Sequence, residues 1–276
     1  MSRAFGLAAL FAAAAVLAAG GCGEAEQGQR QGQEQTPDDV AQIQSAIESA
    51  NALSANALSA NALSANALSA NALSANALSA NALSANALTA KALKDPLARQ
   101  FLKYVVSCAL PEGTSFDIKV DGKTYGFSGE LGLAAEWGGS RGMCDGSCQR
   151  WVSACVLARV DFAGVKRLIS LRGDHRALKT DARELRDYPV REATYYGNLF
   201  ADGQGRFMCL SPDRGSNERV CGPSLAHCPM TVMGSCANVC QHRGRQGTFE
   251  DCATERSGRA CDRDTIEETI TVFLPQ

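Results

Sequence analysis

Seven cysteines fall within 53 residues near the C-terminus: Cys209, Cys221, Cys228, Cys236, Cys240, Cys252 and Cys261. Four more, Cys108, Cys144, Cys148 and Cys155, stand ahead of them. Thiols at this density either cross-link the chain or hold a metal. A metal is suggested by Cys236-x3-Cys240, which has half of a zinc spacing, and by the imidazoles of His227, beside Cys228, and His242, two residues after Cys240. His242 stands too near Cys240 for the second half of the usual pattern. All of these cysteines are therefore disulfide candidates, and no metal or cofactor is expected. Connectivity stays open, because the first four alone allow three pairings. Eleven is odd, so one thiol is left over or pairs with another chain. Each bridge closing some 15 residues stabilises by about 3 kcal/mol through loop-closure entropy. No Cys-x-x-Cys is present, which argues against a thiol oxidoreductase.

Other chemistry-bearing groups are sparse. There is no H-E-x-x-H, no P-loop and no dinucleotide fingerprint. His175 follows Asp174, but neighbours on a strand point to opposite faces and make a poor acid–base pair. Arg172-Gly173-Asp174 spells an integrin-type tripeptide, a three-residue match that chance supplies often. Trp137, Trp151, Tyr195 and Tyr196 suit either a glycan or peptide groove or core packing, the commoner role. A net charge of −2 gives no basic field for phosphate, so a nucleic-acid partner is not expected. The alternative to a binding or structural module is an enzyme that works with carboxylates alone, as glycosidases do.

The N-terminus carries one more reactive cysteine. Arg3 precedes an apolar run from Leu7 to Ala19, then Gly20, Gly21 and Cys22. A positive charge, a short hydrophobic core and small residues are the layout of a secretory signal. With the Cys at the cleavage point, residues 1–22 resemble the signal of bacterial lipoproteins. That resemblance implies cleavage before Cys22 by signal peptidase II and lipidation of Cys22, hence a membrane partner through the lipid. Where the family has Leu three residues before the Cys, this chain has Ala19. Gly23 in place of the family's retention Asp implies the outer membrane. A bacterial cell envelope, facing an oxidising compartment, is also where disulfides persist.

Four segments must position these groups: a signal over 1–21, a Gln/Glu/Gly-rich polar tether over 22–38, a stalk over 39–95 and a Cys-rich globular domain over 96–276. From Asn51 the stalk repeats Asn-Ala-Leu-Ser-Ala, with Leu at every fifth position from Leu53 to Leu93. Asn, not a small residue, stands two before each Leu, unlike pentapeptide β-helices. Ala and Leu favour a helix, yet a five-residue period spirals the leucines round it and leaves no apolar stripe. The stalk is thus read as helical or disordered.

In the domain, Asp95-Pro96 opens a helix over 96–109. A second helix runs from about Ser147 to Val160. Phe116 to Phe127 reads as a hairpin turning at Asp121-Gly122. Val165 to Leu171 reads as a strand, Ala193–Phe200 with Arg206–Leu210 as a second hairpin, and Ile270–Leu274 as a last strand. Residues 211–262 hold too little apolar matter to fold without cross-links. The fold class expected is α+β: a small mixed, mainly antiparallel sheet with two helices, stapled by disulfides. The function expected is display of a binding or structural domain on a membrane-anchored stalk, with a protein or glycan as ligand.

Overall fold

The computed structural model describes residues 50–51, 53–54, 91–139, 142–201, 205–212, 218–244, 246–255 and 264–276. The chain divides into two units, Met1–Gln33 and Glu34–Gln276. Cys22, the signal, the tether, most of the stalk and Cys261 lie outside the described residues. No described helix is long and apolar enough to cross a membrane.

At its four described residues before Lys91, the stalk is extended rather than helical. Ala50–Asn51 (β1) pairs antiparallel with Arg167–Leu168 (β6), and Leu53–Ser54 (β2) pairs parallel with Val160–Asp161 (β5). The pairing gives ladder partners to backbone groups that a helix would have satisfied within itself. Leu93, the last leucine of the series, is fully buried in the domain core.

Helix α1, Pro96–Ala109, starts where the sequence places it. The Asp95 carboxylate accepts from the Leu97 N–H at 2.8 Å, and Pro96 takes a first-turn position. The helix ends at Leu110, held extended ahead of Pro111. Its buried face carries Phe101, Leu102, Val105, Val106 and Cys108. Strands β3, Ser115–Val120, and β4, Lys123–Ser128, form the first hairpin and add Ile118 and Phe127 to the same core. Asp121 (φ 48°) and Gly122 (φ 79°) both adopt positive φ, as a two-residue turn of the primed type requires.

Helix α2, Gly146–Ala158, is capped by Asp145, whose carboxylate accepts from the Cys148 N–H at 2.9 Å. From Val152 to Ala158 every residue is buried, the pattern of a helix packed on all sides.

A five-stranded sheet lies against it, in the order Thr231–Ser235 (β10), Gly205–Leu210 (β9), Val190–Asn198 (β8), Ile270–Leu274 (β14) and Ser170–Arg172 (β7). Neighbours are antiparallel except β9 and β10, which run parallel. The expected strand over 165–171 is two short pieces, β6 and β7, that pair with different partners. Gly197 in β8 has φ 133°, and a side chain there would collide with the Gly205 carbonyl of β9.

A second sheet, Cys240–Arg243 (β11), Phe249–Ala253 (β12) and Thr265–Ile266 (β13), lies within 211–262 and just beyond it. That stretch is therefore more regular than its composition suggested. Three short α-helices, Ala182–Asp187 (α3), Glu218–Cys221 (α4) and Cys236–Val239 (α5), and three 3-10 turns, Ala135–Gly138, Arg176–Leu178 and Leu225–His227, complete the described elements. The class is α+β with antiparallel pairing dominant and five disulfides.

Strand alternation splits the interior in two. Ala193, Tyr195, Met208, Ile270 and Val272 face the helices. Tyr196, Cys209 and Met233 face the other way, toward Phe249 and Cys252 of the second sheet.

Candidate functional site

Ten cysteines pair as Cys108–Cys155, Cys144–Cys148, Cys209–Cys236, Cys221–Cys228 and Cys240–Cys252. Cys108–Cys155 ties α1 to α2 across a separation of 47 residues. Cys144–Cys148 staples the start of α2, and Cys221–Cys228 closes a seven-residue separation after α4. Among the described residues no cysteine is free.

The remaining two bridges, Cys209–Cys236 and Cys240–Cys252, abut. Cys209 comes from β9, Cys236 from α5, Cys240 from β11 and Cys252 from β12. The sulfurs of Cys209 and Cys240, which belong to different bridges, are 3.6 Å apart. The sulfurs of Cys209, Cys240 and Cys252 all lie within 4.8 Å of one another. Cys209, Cys236 and Cys252 are completely buried, with Tyr196, Met233 and Phe249 packed round them. Hydroxyl groups join the two sheets at this point: Tyr196 Oη donates to the Ala253 carbonyl at 2.8 Å, and the Phe249 N–H donates to Thr271 Oγ1 at 3.2 Å.

As candidate metal ligands, sequence reasoning grouped Cys236 and Cys240 with His227, Cys228 and His242, but not with Cys209 and Cys252. Only the register of β11 on β12, which sets Cys240 opposite Cys252, and the crossing from one sheet to the other bring the four together. Cys228 is engaged with Cys221, away from that set. The side chains of His227 and His242 fall outside the described set.

Three carboxylates, those of Glu192, Glu130 and Glu268, are held by arginines. Arg219 Nη2 lies 2.6 Å from Glu192 Oε2, both side chains 5% exposed or less. Arg219 also donates to the Tyr195 hydroxyl at 2.8 Å and, through Nη1, to the carbonyls of Ala158 and Val160 at 3.1 and 2.6 Å. Burial works against the Arg219 charge, but the Glu192 carboxylate outweighs it and holds the guanidinium firmly protonated. A β-bulge places this pair. Val272 faces Ala193 while Phe273 faces Arg191, leaving Glu192 as the extra residue.

Arg159, itself buried, holds Glu130 at 2.7 Å and donates to Ser107 Oγ. Burial opposes the Glu130 charge, yet Arg159 keeps its carboxyl below the usual range. Arg150 grips Glu268 through two contacts of 2.5 and 2.9 Å.

Two groups are shifted toward their neutral forms. Burial, then the nearby Arg176 charge, pushes His175 down to about 4. Its Nδ1 accepts from the Ala177 N–H at 3.1 Å and its ring lies 5.2 Å from that of Trp151, so it serves as a cap for a 3-10 turn. Burial pushes Glu184 up to about 7, against the pull of the Ser170 hydroxyl and Arg172.

Arg172 is buried, with bonds to Ser170 Oγ and the Tyr188 carbonyl at 2.9 and 2.7 Å, so the Arg172-Gly173-Asp174 tripeptide cannot present it to a receptor. Trp137, Tyr195 and Tyr196 are fully buried and Trp151 is half-buried, which makes the first three core residues. Gly138-Gly139-Ser140-Arg141-Gly142 spells the letters of a nucleophile elbow and escaped the sequence reading. It lacks the strand that an elbow needs before it: a 3-10 turn, Ala135–Gly138, precedes, and Ser140 lies outside the described residues.

The arrangement thus offers a cross-linked body in which arginines fix Glu192, Glu130 and Glu268, and one buried point of sulfur convergence. No protein-family profile, curated protein or solved structure matches this chain.

Proposed function

We propose that this chain is a lipoprotein of the bacterial cell envelope, anchored through a lipid on Cys22, that displays its disulfide-stapled domain as a binding or structural module. The polar tether over 22–38 and the repeat stalk hold the domain off the bilayer, with the outer membrane favoured by Gly23. The ligand class is a protein or glycan surface.

One observation carries the reading: five bridges within a single α+β domain. Such density accumulates where thiols oxidise and stay oxidised. It agrees with the export signal read independently at residues 1–22. The carboxylates paired with Arg219, Arg159 and Arg150 suit a rigid scaffold, since each is fixed by an ion pair of 2.7 Å or less.

The test is fractionation. Cys22→Ser should move the protein from the membrane fraction to the soluble one, because a single lost acyl anchor removes most of the membrane affinity. Unchanged retention of the variant would overturn the anchor. The mass of the intact unreduced protein should also fall short of the all-thiol mass by at least ten hydrogens.

A further inference from the structure

We propose that Cys209, Cys236, Cys240 and Cys252, once reduced, form a tetrathiolate site for a soft divalent metal ion such as zinc. The inference goes beyond the display role and does not rest on it.

The geometry leads there in three steps. First, a tetrahedral zinc with Zn–S bonds of about 2.3 Å sets its sulfurs about 3.8 Å apart. Cys209 and Cys240 already stand 3.6 Å apart, and the Cys252 sulfur lies within 4.8 Å of both. Cys236 is bonded to Cys209 and starts at the edge of that group, outside the 4.8 Å shared by the other three sulfurs, so it must swing inward when its bridge opens. Opening each bridge requires its two sulfurs to part from about 2 Å to that same separation, a change that side-chain rotation and small strand shifts supply.

Second, the spacing fits. Cys236-x3-Cys240 lies within the C-x2–4-C range of zinc ligands, and the short α5 that carries it leads directly into β11. Cys209 and Cys252 complete the set from two different sheets. A metal would therefore cross-link the same four elements as the two bridges do. Among the described residues, this is where three or more metal-ligating side chains converge.

Third, the surroundings are dry. Three of the four cysteines are fully buried among Tyr196, Met233 and Phe249, where competing water is excluded and metal–thiolate bonds are strengthened. The other three bridges do not meet: Cys221–Cys228 and Cys144–Cys148 close local loops, and Cys108–Cys155 joins two helices on the far side of the sheet.

The chemistry balances. Two equivalents of a dithiol or phosphine reductant deliver four electrons, and four protons come from the reductant and solvent. Two S–S bonds break and four thiols form. Binding the metal then releases up to four protons as the thiols become thiolates. Two equivalents of a small disulfide run the reverse course: each accepts two electrons and, with protons from solvent, leaves as two thiols, while two protein disulfides form and the ion is released.

The experiment uses the full chain carrying Cys22→Ser and Cys261→Ser, reduced with a phosphine under argon and titrated with Co2+ as a spectroscopic probe, then with Zn2+. One equivalent of Co2+ should give the visible bands of a tetrahedral centre and thiolate-to-metal charge transfer, and Zn2+ should displace it. Alkylation followed by peptide mass mapping should then find Cys209, Cys236, Cys240 and Cys252 shielded by Zn2+ while Cys108, Cys144 and Cys221 are labelled. Adding Cys236→Ser should weaken Co2+ binding about tenfold or more and alter the charge-transfer band, whereas adding Cys221→Ser should change neither. Absence of charge transfer, or shielding of a different set of cysteines, would overturn the site. The mapping reads the unsubstituted four cysteines, so a misfolded variant does not rescue the proposal. Such a failure would leave the lipoprotein reading standing, because that reading is tested by fractionation and unreduced mass.

Discussion

On one face the central sheet meets α2, with α1 packed on α2 and the first hairpin on α1, and this side buries Phe101, Leu102, Val105, Trp137, Val152 and Leu157 completely or nearly so. On the other it meets a three-stranded sheet over a cluster of seven buried residues among those described, three of which are half-cystines. The first side has enough apolar surface to hold itself: each fully buried aliphatic side chain contributes about 1.5–3 kcal/mol. The second side does not, and covalent bonds take the place of area. Loop-closure entropy assigns about 3.5 kcal/mol to Cys209–Cys236, separated by 27 residues, and about 3 kcal/mol to Cys240–Cys252, separated by 12. The same backbone is thus held on one face by packing and on the other by topology of cross-links.

The largest expected effect comes from deleting those links. Replacing Cys209, Cys236, Cys240 and Cys252 together with Ala should cost about 6 kcal/mol, if the two closures add. Hydrogen exchange should show where the loss falls. Protection should vanish over Thr231–Ser235 and Phe249–Ala253 and persist over Pro96–Ala109 and Gly146–Ala158. Equal loss on both faces would break the contrast and make the sheet one cooperative unit with its helices.

A charge substitution probes the helix side next. Glu192→Ala leaves Arg219 buried without its carboxylate, which costs about 3–5 kcal/mol. The damage should spread to the end of α2, because Arg219 also bonds the Ala158 and Val160 carbonyls. Chemical denaturation of the variant and its exchange map measure both. A loss under about 1 kcal/mol would mean that packing alone secures that end of the helix.

How far the sequence foretold this contrast follows the range of each interaction. Helix α1 was legible because its signals are local: Asp95 and Pro96 at one end, Pro111 at the other, and apolar residues at helical spacing between. The Asp121-Gly122 turn was legible for the same reason. The cross-link dependence of 211–262 was read from composition, and its described cysteines do pair. What stayed hidden is set by register between distant strands. Residue identity alone does not show that β9 and β10 run parallel, that Glu192 sits in a bulge, or that Cys209 meets Cys240. Arg219, in a stretch that reads as surface loop, gave no sign that it would be buried against Glu192.

The smallest effect tests whether the two faces are separable at the sheet's edge. Strand β7 lies at the opposite edge from β10. There Ser170 Oγ donates to Glu184 Oε1 at 2.6 Å, and Glu184 Oε2 is buried with no hydrogen-bond partner among the described residues. A bare buried oxygen disfavours the anion, which is why this carboxyl is raised to about 7 from 4.5. Between those two values the unfolded chain has lost the proton while the folded one keeps it. Stability should therefore be full below pH 4.5, fall as pH rises through that window by at most about 1.4 kcal/mol per unit, and level off above 7. Glu184→Gln cannot titrate and should abolish this part of the slope, as read by denaturant midpoints from pH 4 to 8. Because β7 sits far from the sulfur cluster, the slope should survive reduction of the bridges on the other face. If reduction erased it, the edge and the cysteine-lined side would share one unfolding step, and the division between packed and cross-linked faces would be one of composition only.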